Sequence, residues 1–444
     1  MSGGDENFLT LKEKGGFEVD ATMKRGVEGE EFEDVPDPEV SIVHLRQHVG
    51  RENEPIVEPG DEVSEGEKIG DSERAETAPV HSPVSGVVER IGEAYHAGLG
   101  ERSEAVFVRR TDGGGEGETL PSFEVDELEE TQPERLVEAV KEAGIVGLGG
   151  AGFPAHVKLS SEGISHLIIN AKESDPNVAC DVQLMHERPR EIVDGIRAMA
   201  RMLEVDDVTF TVRSPESRFS ELKSSLDEEG ITMTRIKPSY SVGQEKLLIE
   251  EVLGEECPCG DFPPDIGVVV HNVSTVYAVC RALFEGEPLI SRGLTFISDG
   301  GEAKNLWVKV GTPLRDILRH LGVEPGKFRR VVFGSLFMGE TASGPETPTI
   351  KTTNGIYGFG AEWEDPYADP QRCIRCGYCN EICPVDIYPI LILEAQKEGD
   401  ASRLRKLHAE DCIDCGLCSY VCPVRIKFTP FLRRAASEVR EKMR

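Results

Sequence analysis

Near its C-terminal end the chain spells C-x2-C-x2-C-x3-C-P twice. The runs are Cys373-Ile-Arg-Cys376-Gly-Tyr-Cys379-Asn-Glu-Ile-Cys383-Pro384 and Cys412-Ile-Asp-Cys415-Gly-Leu-Cys418-Ser-Tyr-Val-Cys422-Pro423. Three thiolates this close together wrap one face of an iron-sulfur cubane, and the remote fourth cysteine of each run ligates the other run's cluster. The spacing therefore predicts two [4Fe-4S] clusters. One is held by Cys373, Cys376, Cys379 and Cys422, the other by Cys412, Cys415, Cys418 and Cys383. A zinc site accounts for one four-cysteine set but leaves the duplication and both prolines unexplained. Gly377 and Gly416 fall where the backbone bends close to sulfur. Residues 388–397 read as a helix, which gives a two-cluster ferredoxin fold with a helical insertion. Cys180, Cys257, Cys259 and Cys280 follow no such pattern and are read as core or incidental cysteines.

At 444 residues the chain outgrows one hydrophobic core, and roughly three or four domains are expected. A formal net charge of -32 argues against nucleic acid or anionic lipid as partner, since both attract a cationic face. No run of about 18 uncharged apolar residues occurs, so no direct membrane span is expected. The best candidate, 266–284, is interrupted by His271, Asn272 and Arg281 and reads as a strand followed by a helix. The opening MSGGDENFLT lacks the basic and apolar regions of a signal peptide, so a cytoplasmic protein is expected.

Residues 1–40, rich in Gly, Glu and Asp without a sustained period, read as a mobile or loosely packed acidic N-terminal arm. From Ser41 short β-type runs alternate with Pro-Gly and Ser-Gly turns, predicting a small barrel-sandwich module of lipoyl type over 41–120. No lysine lies between Lys68 and Lys141 to carry a prosthetic arm, so the module is read as structural. A Gly-rich linker at 112–118 leads to an α/β domain over 131–287. Its helix at 133–143 opens with Pro133 and stops at Gly144. Strand-like runs follow at 166–170, 207–213, 231–237 and 266–270, with helices between them. Ile192, Ile196, Met199 and Leu203 recur at helical spacing and are read as core. Residues 288–345 predict a β-grasp-like unit around one helix, with Thr312 as cap, Pro313 first inside and Gly322 as stop. A linker over 346–370 then leads to the ferredoxin domain, 371–444.

Gly147-Leu-Gly149-Gly150-Ala-Gly152 satisfies G-x-G-x-x-G, but a helix precedes it and Phe153-Pro154 follows, which disfavours an ordinary dinucleotide fingerprint. A glycine loop with exposed amides still suits an anionic phosphate. Read with Lys158, Asn170-Ala-Lys-Glu-Ser-Asp-Pro176, Tyr240-Ser-Val-Gly-Gln-Glu245 and Asn272-Val-Ser-Thr275, the loop resembles the FMN and NADH site of the flavin subunit of respiratory complex I. The order of modules resembles more closely the RnfC family, the C component of the Rnf complex, a membrane ferredoxin:NAD oxidoreductase. It runs from Gln47-His-Val-Gly50 and the barrel to the Cys-Ile-Arg-Cys-Gly motif.

That resemblance implies a multidomain α/β fold: a barrel-sandwich module, an FMN-binding domain, a β-grasp unit and a helical two-cluster ferredoxin domain. It implies an FMN phosphate against Gly147, Gly149, Gly150 and Gly152, and flavin contacts from Lys158, Asn170, Gly243 and Asn272. It places Glu173 and Glu245 beside the nicotinamide nucleotide, with Phe153 offering an aromatic face. Lys172 departs from the small or acidic residue usual in the family, and Ser174-Asp175 replaces a common Cys-Glu. A nicotinamide gives up two electrons at once and a cubane passes one, so a flavin belongs between them, and the protein's task is positioning. The expected role is a peripheral subunit on the cytoplasmic face of a membrane complex. It exchanges electrons between NAD(H), FMN and two clusters, with other subunits as partners and ferredoxin reached indirectly. Two other readings stay open: a soluble flavin and iron-sulfur reductase resembling cobalamin reductase, in which the glycine module is expected to open the chain, and a non-catalytic electron-transfer subunit.

Overall fold

The computed structural model describes residues 31–74, 76–111, 119–213, 216–299, 301–324, 326–365, 367 and 369–443. The linker expected at 112–118 and residues 1–30 of the acidic arm lie outside them. The end of the expected arm is not loose. Glu33 and Asp34 form β1 (Glu33–Asp34), paired in parallel with Leu306 and Trp307, while Val35 is buried and Lys304 Nζ lies 2.5 Å from Glu33 Oε1. Seven strands follow: β2 (Val40–His44), β3 (Glu54–Pro55), β4 (Glu62–Val63), β5 (Lys68–Asp71), β6 (Val80–His81), β7 (Gly86–His96) and β8 (Glu101–Arg110). They make a four-stranded sheet of order β2-β8-β7-β4 facing a three-stranded sheet of order β3-β5-β6. Val43, Leu45, Ile69, Val80, Val88, Val106 and Val108 fill the space between, as alternation along each strand demands. Buried Lys351 donates to Pro79 O (2.7 Å) and Gly144 O (2.8 Å) and so fastens this module to the next.

The α/β domain contains α1 (Pro133–Glu142), α2 (Ala155–Leu159), β9 (His166–Asn170), α3 (Cys180–Glu187), α4 (Pro189–Leu203) and β10 (Val208–Val212). It continues with α5 (Ser220–Glu228), β11 (Thr232–Arg235), α6 (Glu245–Leu253), β12 (Val268–Asn272) and α7 (Val273–Phe284). The four apolar runs of the sequence are the four strands, all parallel, in the order β11-β10-β9-β12. Ile192, Ile196, Met199 and Leu203 are buried on α4. The chain steps outward from β9 through β10 to β11, then returns to the other flank of β9 for β12. The crevice beyond the carboxyl ends of β9 and β12 is therefore a topological switch point, where open α/β sheets bind ligands.

A mixed six-stranded sheet comes next, of order β1-β14-β13-β17-β15-β16. Its elements are β13 (Ser291–Ser298), β14 (Ala303–Lys309), α8 (Leu314–His320), β15 (Phe328–Phe333), β16 (Glu340–Thr341) and β17 (Gly355–Gly360). The sheet and its helix depart from the sequence expectation in two places. Residues 355–360 are not linker: β17 is an inner strand, parallel to β13 and antiparallel to β15. Its run Gly-Ile-Tyr-Gly-Phe-Gly carries too much glycine to read as a strand in isolation. Nor does Thr312 cap α8. Pro313 is the N-cap residue, and the Thr312 hydroxyl donates to Lys309 O at 2.8 Å.

The last unit is helical: α9 (Tyr378–Glu381), α10 (Pro389–Glu398), α11 (Ala401–Lys406), α12 (Leu417–Tyr420) and α13 (Thr429–Met443). The cysteine duplication is repeated in its backbone. Left-handed residues recur in matching places, Arg375 with Asp414, Gly377 with Gly416 and Asp386 with Arg425. The expected helical insertion is α10.

Candidate cofactor sites

Asn170 and Asn272 end β9 and β12 and are register partners, so both stand at the switch point. The Asn170 amide donates to Gly243 O (3.0 Å), and its oxygen accepts from Lys172 N (3.1 Å). Asn272 caps α7 by accepting from Ser274 N (2.9 Å) and donates to Asp181 Oδ2 (2.7 Å). The glycine loop lies over this edge. Leu148 N donates to Thr275 Oγ1 (2.9 Å), and Gly147 N closes the loop onto Phe153 O (2.8 Å). A Cβ at Gly149 would stand 2.8 Å from Asn272 Cβ, so only glycine lets the backbone approach. Gly149 and Gly150 are exposed, and among the described residues nothing beyond the chain neighbours lies within 4 Å of a Cβ built on Gly150. Gly152 is buried and takes φ +72°. An open glycine backbone above the N-terminal end of α7 fits a phosphate-bearing cofactor, because free amides and the helix dipole both favour anions.

Other candidate residues ring the crevice. Lys158 on α2 pairs with Glu245, the first residue of α6, and also donates to Val270 O (3.3 Å). Phe153 is half-buried at the foot of the loop. Lys172 is buried and donates to Ser239 O. Glu173 is buried too: its Oε1 accepts from Asp181 N (3.0 Å) and from Cys180 Sγ (3.5 Å), which ties it to the start of α3. A Cβ at Gly243 would overlap Ser174 Oγ. Asp175 accepts from Ser335 Oγ (2.8 Å), Leu336 N (3.0 Å) and the Tyr357 hydroxyl, binding the crevice to the six-stranded sheet. Asp181 carried no signal in the sequence. Its importance appears only where its carboxylate receives Asn272 and Ser274 together, the latter at 2.5 Å.

In the helical unit, Cys383 of the first motif lines the same recess as Cys412, Cys415 and Cys418 of the second. Burial above all, then repulsion from the Asp414 carboxylate and from Cys383, pushes Cys412 up to about 11; burial, then repulsion from Cys412 and Cys383, pushes Cys415 up to about 12. Four cysteine sulfurs gathered in an apolar recess suit a cationic partner such as the iron of a cluster, which stabilises them as thiolates. Cys373 and Cys376 are exposed, and Cys379 and Cys422 half-buried.

The two regions are joined by one turn. Tyr240–Gly243 touches Asn170 through the Gly243 carbonyl, while buried Tyr240 packs with Ile382, Cys415 and Leu417. The Tyr240 and Phe337 rings stand 5.0 Å apart, and Phe337 and Tyr420 5.2 Å apart. A Cβ at Gly416 would lie 2.7 Å from Phe337 O, so the second motif sits directly on this bridge.

Three family models match: the RnfC barrel sandwich hybrid domain over 11–113, the Nuo51 FMN-binding domain over 140–281 and a 4Fe-4S dicluster domain over 372–426. The chain is thus a multidomain α/β protein of the flavin and iron-sulfur class, with an FMN-binding domain set between a barrel module and a dicluster domain. It belongs to the RnfC family of the ion-translocating oxidoreductase complex. It is 36% identical to the RnfC protein of Rhodobacter capsulatus over 386 residues, covering 85% of this chain and 73% of the relative. Against the RnfC proteins of Cronobacter sakazakii and Erwinia tasmaniensis it is 34% identical, over 83% and 94% of this chain. It spans only 48% and 52% of those two relatives. Among solved structures it shares a fold with an NAD+-reducing [NiFe]-hydrogenase in the H2-reduced state. The TM-score there is 0.51 at 18% identity, over 73% of this chain and 65% of that one. The air-oxidized state gives 0.50 at 20% identity, over 72% and 69%. No helix among the described residues is long and apolar enough to cross a membrane.

Proposed function

We propose that this chain is the peripheral subunit through which NAD(H) exchanges electrons with an ion-translocating membrane complex, at its cytoplasmic face, toward or from ferredoxin. FMN supplies the conversion between two-electron and one-electron transfer, and the two clusters supply one-electron steps. Gly147, Gly149, Gly150 and Gly152 hold the FMN phosphate, and Lys158, Asn170, Gly243 and Asn272 orient the ring. Glu245 and Phe153 face the nicotinamide side. Glu173, buried against α3, acts as a positioning residue for the Asp181–Asn272 contact instead of touching the nucleotide. The unit around α8, in our reading of β-grasp type, closes the crevice through Asp175.

The observation that carries this reading is the turn Tyr240–Gly243, which meets the crevice at one end and Cys415 at the other. It makes the cluster of Cys412, Cys415, Cys418 and Cys383 the one next to the flavin, and the exposed cluster of Cys373, Cys376, Cys379 and Cys422 the outlet to a partner. Tyr240→Ala is then expected to slow cluster reduction while NADH still reduces the flavin at the parent rate. Stopped-flow absorbance at flavin and cluster wavelengths separates the two, and unchanged cluster reduction would remove Tyr240 from the path. Glu245→Gln is expected to slow NADH-driven flavin reduction about tenfold with FMN content and dithionite reduction unchanged. Equal NADH rates would leave Glu245 as the partner of Lys158 and nothing more.

A further inference from the structure

Beside the second cysteine motif, ligating side chains from two units converge. Cys259 lies on the loop from α6 to β12, and His408 and Glu410 on the turn from α11 to Cys412. A thiol sulfur, an imidazole nitrogen and a carboxylate oxygen there stand within 4.8 Å of one another. Asp411 flanks these three, with Oδ1 2.6 Å from Cys259 Sγ and Oδ2 3.9 Å from His408 Nδ1. Ligand atoms around a tetrahedral ion with bonds of about 2.0–2.3 Å stand roughly 3.3–3.8 Å apart. Small rotations of Cys259 and His408, both exposed, therefore suffice to close the set.

The backbone on each side is already fixed. Arg440 donates to Glu410 O (2.6 Å) and Cys412 O (3.4 Å), and Lys246 donates to Pro258 O (3.0 Å). Arg440 takes the Glu410 carbonyl and leaves its carboxylate, whose Oε2 is buried with no hydrogen-bond partner. That buried acceptor points to a ligand. We propose that Cys259, His408, Glu410 and Asp411 bind a zinc-type divalent cation that staples the flavin unit to the cluster domain. A mixed sulfur, nitrogen and oxygen set suits zinc, whereas magnesium and calcium take oxygen alone. The ion is structural and carries no electron. Because Asp411 precedes Cys412, it holds the segment entering the buried cluster recess against the flavin unit, next to the Tyr240–Phe337 contact.

The test uses the full-length protein, purified anaerobically with its full iron content and dialysed against Zn2+. Expected are about one zinc per chain, an X-ray absorption signature of one sulfur with nitrogen and oxygen ligands, and unchanged iron. Zinc affinity should fall at least roughly tenfold in Cys259→Ala and, separately, in the exposed-site variant His408→Ala. Chelation should speed amide exchange at 255–261 and 408–411 in the parent and not in the variants. Zinc binding equal in parent and variants, no zinc retained by the parent, or zinc bound by four sulfurs would overturn the proposal.

Discussion

Cys383→Ala is expected to destroy the cluster of the second motif and spare that of the first, although Cys383 belongs to the first in sequence. Its thiol shares a recess with Cys412, Cys415 and Cys418. A cubane missing one of four thiolates is labile, so iron should fall from about eight to about four per chain. The surviving cluster, on Cys373, Cys376, Cys379 and Cys422, should keep its paramagnetic resonance signal on reduction. Cys422→Ala should do the reverse. The consequences for turnover differ as well. Losing the recess cluster breaks the path next to Tyr240 and leaves flavin reduction by NADH intact, whereas losing the exposed cluster blocks only the outlet. If Cys383→Ala instead removed the signal belonging to Cys373, Cys376 and Cys379, the motifs would be independent and the crossed ligand sets wrong.

Gly150→Trp should cost FMN binding by roughly 100-fold or more while both clusters remain. Each charge-assisted hydrogen bond from a loop amide to phosphate is worth about 1.5–3 kcal/mol, and an indole on the loop denies at least two of them. Among the described residues nothing beyond the chain neighbours lies within 4 Å of a Cβ at this position, so the bulk enters the crevice mouth without disturbing the core. Gly149→Trp makes a poorer test, because its Cβ already meets Asn272. Flavin content is read from the absorbance of the released cofactor, iron from metal analysis. A folded Gly150→Trp protein with full flavin would place the phosphate elsewhere.

Much of this architecture is legible in the residues. The runs at 166–170, 207–213, 231–237 and 266–270 are β-branched and apolar because parallel strands are buried on both faces, and each became a strand. Local pattern does not disclose which strands are neighbours. Placing β9 beside β12, which brings Asn170 and Asn272 together, is decided by distant packing of the helices on both faces. β17 was hidden by its glycines, and β1 by the acidic composition around it. The resemblance puts Glu173 beside the nicotinamide nucleotide, yet the start of α3 folds over it and buries it. Tyr240 belongs to a recognisable motif, but its contact with Cys415 spans two domains and leaves no local trace. The same holds for Cys259, an apparently incidental cysteine until the chain brings Asp411 to it.

If one chain couples nicotinamide to iron-sulfur chemistry through a flavin, an anaerobic NADH titration of the purified full-length protein will reveal it. Flavin absorbance and cluster paramagnetic resonance are followed together, with flavin and iron counted in the same sample. The expected result is one FMN and about eight irons per chain, with NADH bleaching the flavin and then raising a reduced-cluster signal. A protein that stays flavin-free after reconstitution with FMN, or whose flavin and clusters respond to dithionite but not to NADH, would contradict it.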